Sequence, residues 1–244
     1  MTAPELSERE RALIAETWSF RGHAERSATL RFQRLARELR ECGASPIVIE
    51  LAEAAIEDER RHALLCDSVA GAYSEAGREP SCDVRTPSPL GPSGLEHADR
   101  LLFEVVAFCC FTETLNTAML IETLKHTEER EIRQTLQEIL RDEVQHSRLG
   151  WAHLADARAR GRGAFLGQSL PFMFETSDVE AIFVEDSRRD DPRLAFYGEL
   201  SRAQRVGIFC AAVRDVVFPG LEAQGVATEV GRAWLQERGI ELGA

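Results

Sequence analysis

Asp58-Glu59-Arg60-Arg61-His62 and Asp142-Glu143-Val144-Gln145-His146 are two copies of one pattern, each set inside a stretch that reads as a long helix. At about 100° per residue, a step of three leaves Glu and His roughly 60° apart and one turn displaced, so both side chains reach the same point beside the helix. Each copy is half of a metal site. A helical bundle that holds two metals takes one Glu from each of two helices and a Glu-x-x-His pair from each of the other two, all pointing inward. The stretch before the first pair carries Glu25 on its apolar stripe and the stretch before the second carries Glu113, so four carboxylates and two imidazoles are on offer.

The surrounding periodicity supports this arrangement. Glu8 to about Arg40 is helical by period, with Ile14, Trp18, Glu25, Ala28, Phe32, Leu35 and Leu39 on one face. Cys42-Gly43-Ala44-Ser45-Pro46 reads as a stop and restart, Gly at a helix end and Pro near the next beginning. A second helix to about Tyr73 aligns Val48, Ala52, Ala55, Glu59, His62, Cys66, Val69 and Tyr73. Residues 74–96 hold four prolines and three glycines and read as an irregular crossover. A third helix, from about His97 to Lys125, sets Val106, Cys110, Glu113, Thr117 and Leu120 in line, and a fourth runs from about Glu128 to Arg160. Glu25 and Glu59 are equally far from the turn near Cys42, as are Glu113 and Glu143 from the turn near Glu128, so each antiparallel pair sets its ligands at one level. Glu16 and Glu38 share the first helix, but only Glu25 sits at that level.

After Gly161 the chain carries a short apolar element (Phe165 to Phe174), a fifth helix from about Ser201 to Phe218 that Pro219-Gly220 should end, and a last helix near Val230 to Arg238. Gly161-x-Gly163 follows a helix and no strand, which argues against a dinucleotide loop. The 244 residues, 44% of them hydrophobic, suit a single domain (1–244) with a core bundle over about 8–160 and a helical extension over 161–244. No stretch reads as long and apolar enough to span a membrane, and Met1 to Arg11 is polar with charges of both signs, so the cytoplasm is the expected compartment. A net charge of −12 argues against nucleic acid and anionic lipid as partners. The six cysteines, Cys42, Cys66, Cys82, Cys109, Cys110 and Cys210, form no Cys-x-x-Cys pair, which argues against a disulfide framework and a rubredoxin-type iron site.

Four carboxylates on core-facing stripes would repel one another in a low-dielectric interior unless their pKa values rose or cations balanced them. Two divalent ions leave the site neutral with neutral imidazoles, and mixed carboxylate and imidazole ligation suits iron or manganese. Asp58 and Asp142 precede the two ligand Glu residues; each can lean across to the ring N–H of the His on the opposing helix, pairing Asp58 with His146 and Asp142 with His62. Thr117, one turn beyond Glu113, either assists proton delivery or bonds the Glu113 carbonyl. Ala28, Ala55 and Cys110, with Ala24 and Cys109 nearby, would leave room for a substrate or allow close helix packing. His23, His97, His126 and His153 have no matching partners.

The two motifs and their partner glutamates resemble the ferritin-like di-iron carboxylate superfamily, and Asp58-Glu59-Arg60-Arg61-His62 matches the D-E-x-R-H form of its oxygenase branch. The second copy departs from that form, with Gln145 where Arg is frequent. The resemblance covers about residues 8–160. It implies an all-α, ferritin-like four-helix bundle with a long crossover between helices two and three, and it leaves the C-terminal helices unaccounted for. It further implies Glu25, Glu59, His62, Glu113, Glu143 and His146 as ligands of two Fe ions, with Mn or a mixed Fe/Mn pair as the other option. The expected activity is that of a dioxygen-activating oxidoreductase acting on a small organic molecule, with O2 as co-substrate, an external electron donor and a homodimer as the expected assembly. A ferroxidase or iron-handling protein, a peroxide-reducing relative and a metal-stabilised scaffold are the competing expectations. The missing Cys-x-x-Cys pairs weaken the peroxidase, and the residues after 160 weaken the storage cage.

Overall fold

The computed structural model describes residues 5–74, 85–177 and 179–243. Among these residues every regular element is helical and no strand occurs. Four long helices, α1 (Glu8–Glu41), α2 (Pro46–Tyr73), α3 (His97–His126) and α4 (Arg130–Ala159), precede four shorter ones. These are α5 (Leu166–Thr176), α6 (Val179–Ile182), α7 (residues 202–223) and α8 (Glu229–Glu237). Of the crossover expected over 74–96, residues 85–96 carry no helix, while 75–84, Cys82 among them, lie outside the described residues.

Local chemistry sets the helix ends. Ser7 caps α1 by accepting from the Glu10 N–H, and the Glu10 carboxylate returns to the Ser7 N–H, a reciprocal capping box. Gly43, at φ 67°, takes the left-handed conformation that turns α1 into α2, where Pro46 opens the next helix. Glu129 caps α4 by accepting from the Ile132 N–H at 2.7 Å. Short turns make α1/α2 and α3/α4 antiparallel pairs, and α2 packs along α4.

Three expectations from sequence need correction. First, α3 is not one regular α-helix: Val106–Thr112 forms a π-helical turn immediately before Glu113. Second, Pro219-Gly220 does not end the fifth helix. A second π-helical stretch, Val213–Val217, precedes Pro219, and the chain continues helically through Phe218–Ala223. The widened turn accommodates a ring and a missing N–H that a regular ladder would not. Gly220 serves packing instead, since a Cβ there would stand 2.6 Å from the Trp151 ring of α4. Third, α3 is long and apolar enough to cross a membrane, with a mean hydropathy of 1.3 in its most apolar window. That window is 67% buried inside the protein, so its apolar side chains are taken up by helix packing.

Around the bundle centre the core divides into an inner end, with Phe32, Leu35, Leu39, Ala52, Val105 and Leu149, an opposite end around Trp18, Cys66, Ile132 and Leu136, and a third cluster in which α5, α7 and α8 cover α3 and α4. A buried ion group fastens α1 to α3. Arg34 donates to both Glu104 oxygens, at 2.8 and 2.5 Å, and Arg31 reaches the same carboxylate, which is only 1% exposed. At the far end the irregular segment between α6 and α7 crosses back to α1. Arg193 meets Glu10 at 2.5 Å, Arg188 meets Glu16 at 3.2 Å, and Arg189 bridges Thr17 and buried Glu199 at 2.8 and 2.7 Å. The same segment accepts the Glu128 and Glu129 N–H groups at the Phe196 carbonyl, so it spans from α1 to the α3/α4 turn.

Removing one partner from a buried ion group leaves uncompensated charge, at a cost of about 3–5 kcal/mol. Glu104→Ala is therefore expected to lower unfolding free energy by roughly that amount in urea titration, while exposed Glu53→Ala, which parts from Arg40 at the surface, shifts it by under about 1 kcal/mol.

Candidate metal centre

Glu25 on α1, Glu59 and His62 on α2, Glu113 on α3, and Glu143 and His146 on α4 converge on one point in the bundle. Two groups form. Ligand atoms of Glu25, Glu59, His62 and Glu143 lie within 4.8 Å of one another, as do those of Glu59, Glu113, Glu143 and His146. Glu59 and Glu143 belong to both. Five of the six residues are buried, Glu113 the most open of them at 4%, and Glu25 is half-buried.

The ring atoms are aimed in a consistent way. His62 Nδ1 lies 3.7 Å from Glu59 and 3.5 Å from Glu143, and His146 Nδ1 lies 3.1 Å from Glu59 and 3.3 Å from Glu143. Ligands ~2.1 Å from a six-coordinate cation stand roughly 3 Å apart, so spacings of 3.1–3.7 Å are compatible with a metal site. Glu59 Oε2, His62 Nδ1, His146 Nδ1 and both Glu143 oxygens are buried without a hydrogen-bond partner. Buried polar atoms are otherwise nearly always satisfied, and so many orphans in one place fit a donor set awaiting a cation.

On the outer side of each imidazole stands an aspartate from the opposing helix. Asp142 Oδ2 is 3.3 Å from His62 Nε2 and Asp58 Oδ2 is 3.6 Å from His146 Nε2. Arg61 donates to both aspartates, at 2.7 Å to Asp58 and 2.6 Å to Asp142, and so ties α2 to α4 across the centre. His146, then Arg61, hold the Asp58 carboxyl down to about 2. Burial pushes Asp142 up, but Arg61 and His62 outweigh it and leave the group lowered. The bridging role of Arg61 has no signal in helix periodicity, because it arises between helices.

The six groups shift one another's protonation in opposite directions. Burial, then Glu59, lifts the Glu25 carboxyl well above its usual range, and burial with Glu143 does the same to Glu113. Burial also disfavours charge on Glu59 and Glu143, but the flanking imidazoles prevail; Glu59 is lowered and Glu143 falls to about 2. Burial opposes charge on the histidines as well, yet the carboxylates raise His62 to about 9 and His146 well above its ordinary value. Burial and neighbours thus push Glu25 and Glu113 toward the protonated carboxyl, Glu59 and Glu143 toward the carboxylate, and both imidazoles toward the protonated ring.

The other candidate residues are distributed differently. Thr117 donates its hydroxyl to the Glu113 carbonyl at 2.8 Å, the ordinary helix bond. Beside it, the buried Thr114 hydroxyl has no partner, and no pattern in the sequence singled it out. Ala55 is fully buried in the apolar inner core, where it serves close packing, while Ala28 is half-buried beside Glu25. Cys110 does not line the site. It joins the core shared with the C-terminal helices, whereas Cys109 lies in the inner core with Phe32 and Ala55 and is acted on by Glu113 and Glu59. The π turn is the cause, since its added residue moves the site-facing position back by one. Cavities of 630 Å³, between Phe183, Arg202 and Ile240, and of 250 Å³, around His153 and Leu101, are lined by none of the six converging residues.

Divalent ions would compete with protons at Glu25, Glu113, His62 and His146, whose affinity for protons is raised. Loading metal-free protein at pH 7 is expected to release protons, read with a pH indicator in weak buffer. Affinity should strengthen as pH rises toward the His62 value of about 9 and weaken as pH falls, because protons compete for the same atoms.

No family model matches this chain, and it has no match among the curated proteins or the solved structures.

Proposed function

We propose that this protein is a dioxygen-activating di-iron oxidoreductase with a ferritin-like bundle, acting on a small organic substrate. The observation that carries the reading is the pair of overlapping ligand groups, built from all four long helices and sharing Glu59 and Glu143, with their inward atoms left without hydrogen-bond partners. Glu25 and His62 would hold one ion, Glu113 and His146 the other, and Glu59 and Glu143 would serve both. A bound iron pair would supply the electrons and open coordination positions on which dioxygen is activated.

The chain's own contribution is geometry and proton placement. Asp142 accepts the proton of His62 Nε2 at 3.3 Å, which keeps that ring's Nδ1 free toward the centre and makes it the more basic, while Asp58 stands as a charge 3.6 Å from His146 Nε2. Arg61 holds both aspartates charged and in place. The apolar packing of Phe32, whose ring lies 5.2 Å from that of His146, excludes water from the α1 side of that histidine. Half-buried Glu25 and Ala28 mark where the cluster comes nearest to solvent, and a small substrate would approach there. Thr117 fixes the backbone of Glu113, and its hydroxyl could serve proton delivery only by leaving that carbonyl.

An anaerobic Fe(II) titration followed by oxygen exposure tests the reading. Two ions per chain, then rapid single-turnover oxidation with a transient visible absorption, are the expected result. Continued uptake and mineral growth would support iron storage, and binding that only raises Tm would support a scaffold. Removal of a shared ligand, Glu59→Ala or Glu143→Ala, is expected to abolish loading of both ions, whereas His62→Ala should spare about one, measured by elemental analysis after desalting. Thr117→Val should retain both ions.

A further inference from the structure

Glu113 enters the cluster from the end of the π-helical turn, and that turn lies directly against α4. The Glu113 N–H donates to the Phe108 carbonyl, five residues back, and the Thr112 hydroxyl donates to the Ala107 carbonyl at 3.1 Å. Across from the turn is Gly150, one helical turn beyond His146 and buried. A Cβ at Gly150 would stand 2.7 Å from Cys109 Cβ, 2.7 Å from the Cys110 backbone nitrogen and 2.8 Å from Cys110 Sγ. One of these contacts is backbone, so no rotamer change clears the space.

We propose that Gly150 is a positioning residue for the metal centre: its missing side chain lets the widened turn of α3 sit against α4, and so brings Glu113 to His146. The inference rests on the di-metal reading above. The turn adds one residue to α3, which rotates Glu113 relative to the helix before it; Cys109 takes the inward place and Cys110 turns toward Gly150 and the C-terminal core. A side chain at 150 pushes the turn away from α4, and the residue that ends the turn moves with it. Glu113 and His146 belong to one ligand group only, while Glu25 and His62, on α1 and α2, are not among the residues that a Cβ at Gly150 would meet. The effect is therefore confined to one ion.

The test is metal binding by Gly150→Ala, with anaerobic Co(II) titration followed by visible absorption and elemental analysis, and circular dichroism as the measure of fold. Wild type should take up two ions. Gly150→Ala should keep its helical signal and its first ion, and lose affinity for the second by about 10-fold to 100-fold. Two ions bound with wild-type affinity by the variant, or equal loss of both from a folded variant, overturns the proposal while leaving the di-metal reading intact. A wild-type protein that binds no Co(II) overturns the di-metal reading and the proposal with it. Should Gly150→Ala not fold, Thr112→Val removes the hydroxyl bond inside the wide turn without adding volume. It is expected to weaken the same ion selectively, and an unchanged second affinity there overturns the proposal.

Discussion

Four carboxyl groups and two imidazoles meet at one level of a helical bundle, and an interior of low dielectric tolerates them only as a neutral set. Protons or cations can provide that neutrality. Protons are favoured on Glu25, Glu113 and the two imidazoles, whereas two divalent ions would balance four charged carboxylates beside neutral rings. The inward atoms that lack hydrogen-bond partners are compatible with binding a cation.

Around this centre the structure distributes its other charges as ties between helices. Arg61 binds Asp58 on its own helix and Asp142 on α4, and the aspartates in turn flank the histidines. Arg34 and Arg31 enclose Glu104, joining α1 to α3 on the Phe32 side of the centre. At the opposite end, direct α1/α3 packing gives way to the segment between α6 and α7, with Glu199 buried against Arg189 and Thr17. The extension beyond α4 thus completes the wall of the bundle. Its irregular backbone is compatible with that position because its carbonyl and arginine groups find partners on α1 and at the α3/α4 turn.

Much of this was legible in the sequence. Helix periodicity placed the four long elements, and the Glu-x-x-His spacing together with equal distances from two turns singled out Glu25 over Glu16 and Glu38; Glu16 is exposed and pairs with Arg188, and Glu38 pairs with Arg34. The crossed placement of Asp58 by His146 and Asp142 by His62 followed from the same antiparallel level. Substrate-wall residues were less accessible to such reasoning. Cys110 stood on the expected stripe only under a constant 3.6-residue turn, and Pro219-Gly220 looked like a stop only if the preceding turn was regular.

The sequence by itself therefore determined the helical class, the level of the site and the six residues that meet there, because periodicity and capping act within about one turn of backbone. Tertiary structure alone decided where the turns widen, which cysteine faces the centre and which glycines are contacts: Gly150 lies against α3, and Gly220 against Trp151. The physical reason is that a π turn and a missing Cβ respond to a neighbouring helix far away in the chain, and neither has a repeat to be read along its own segment.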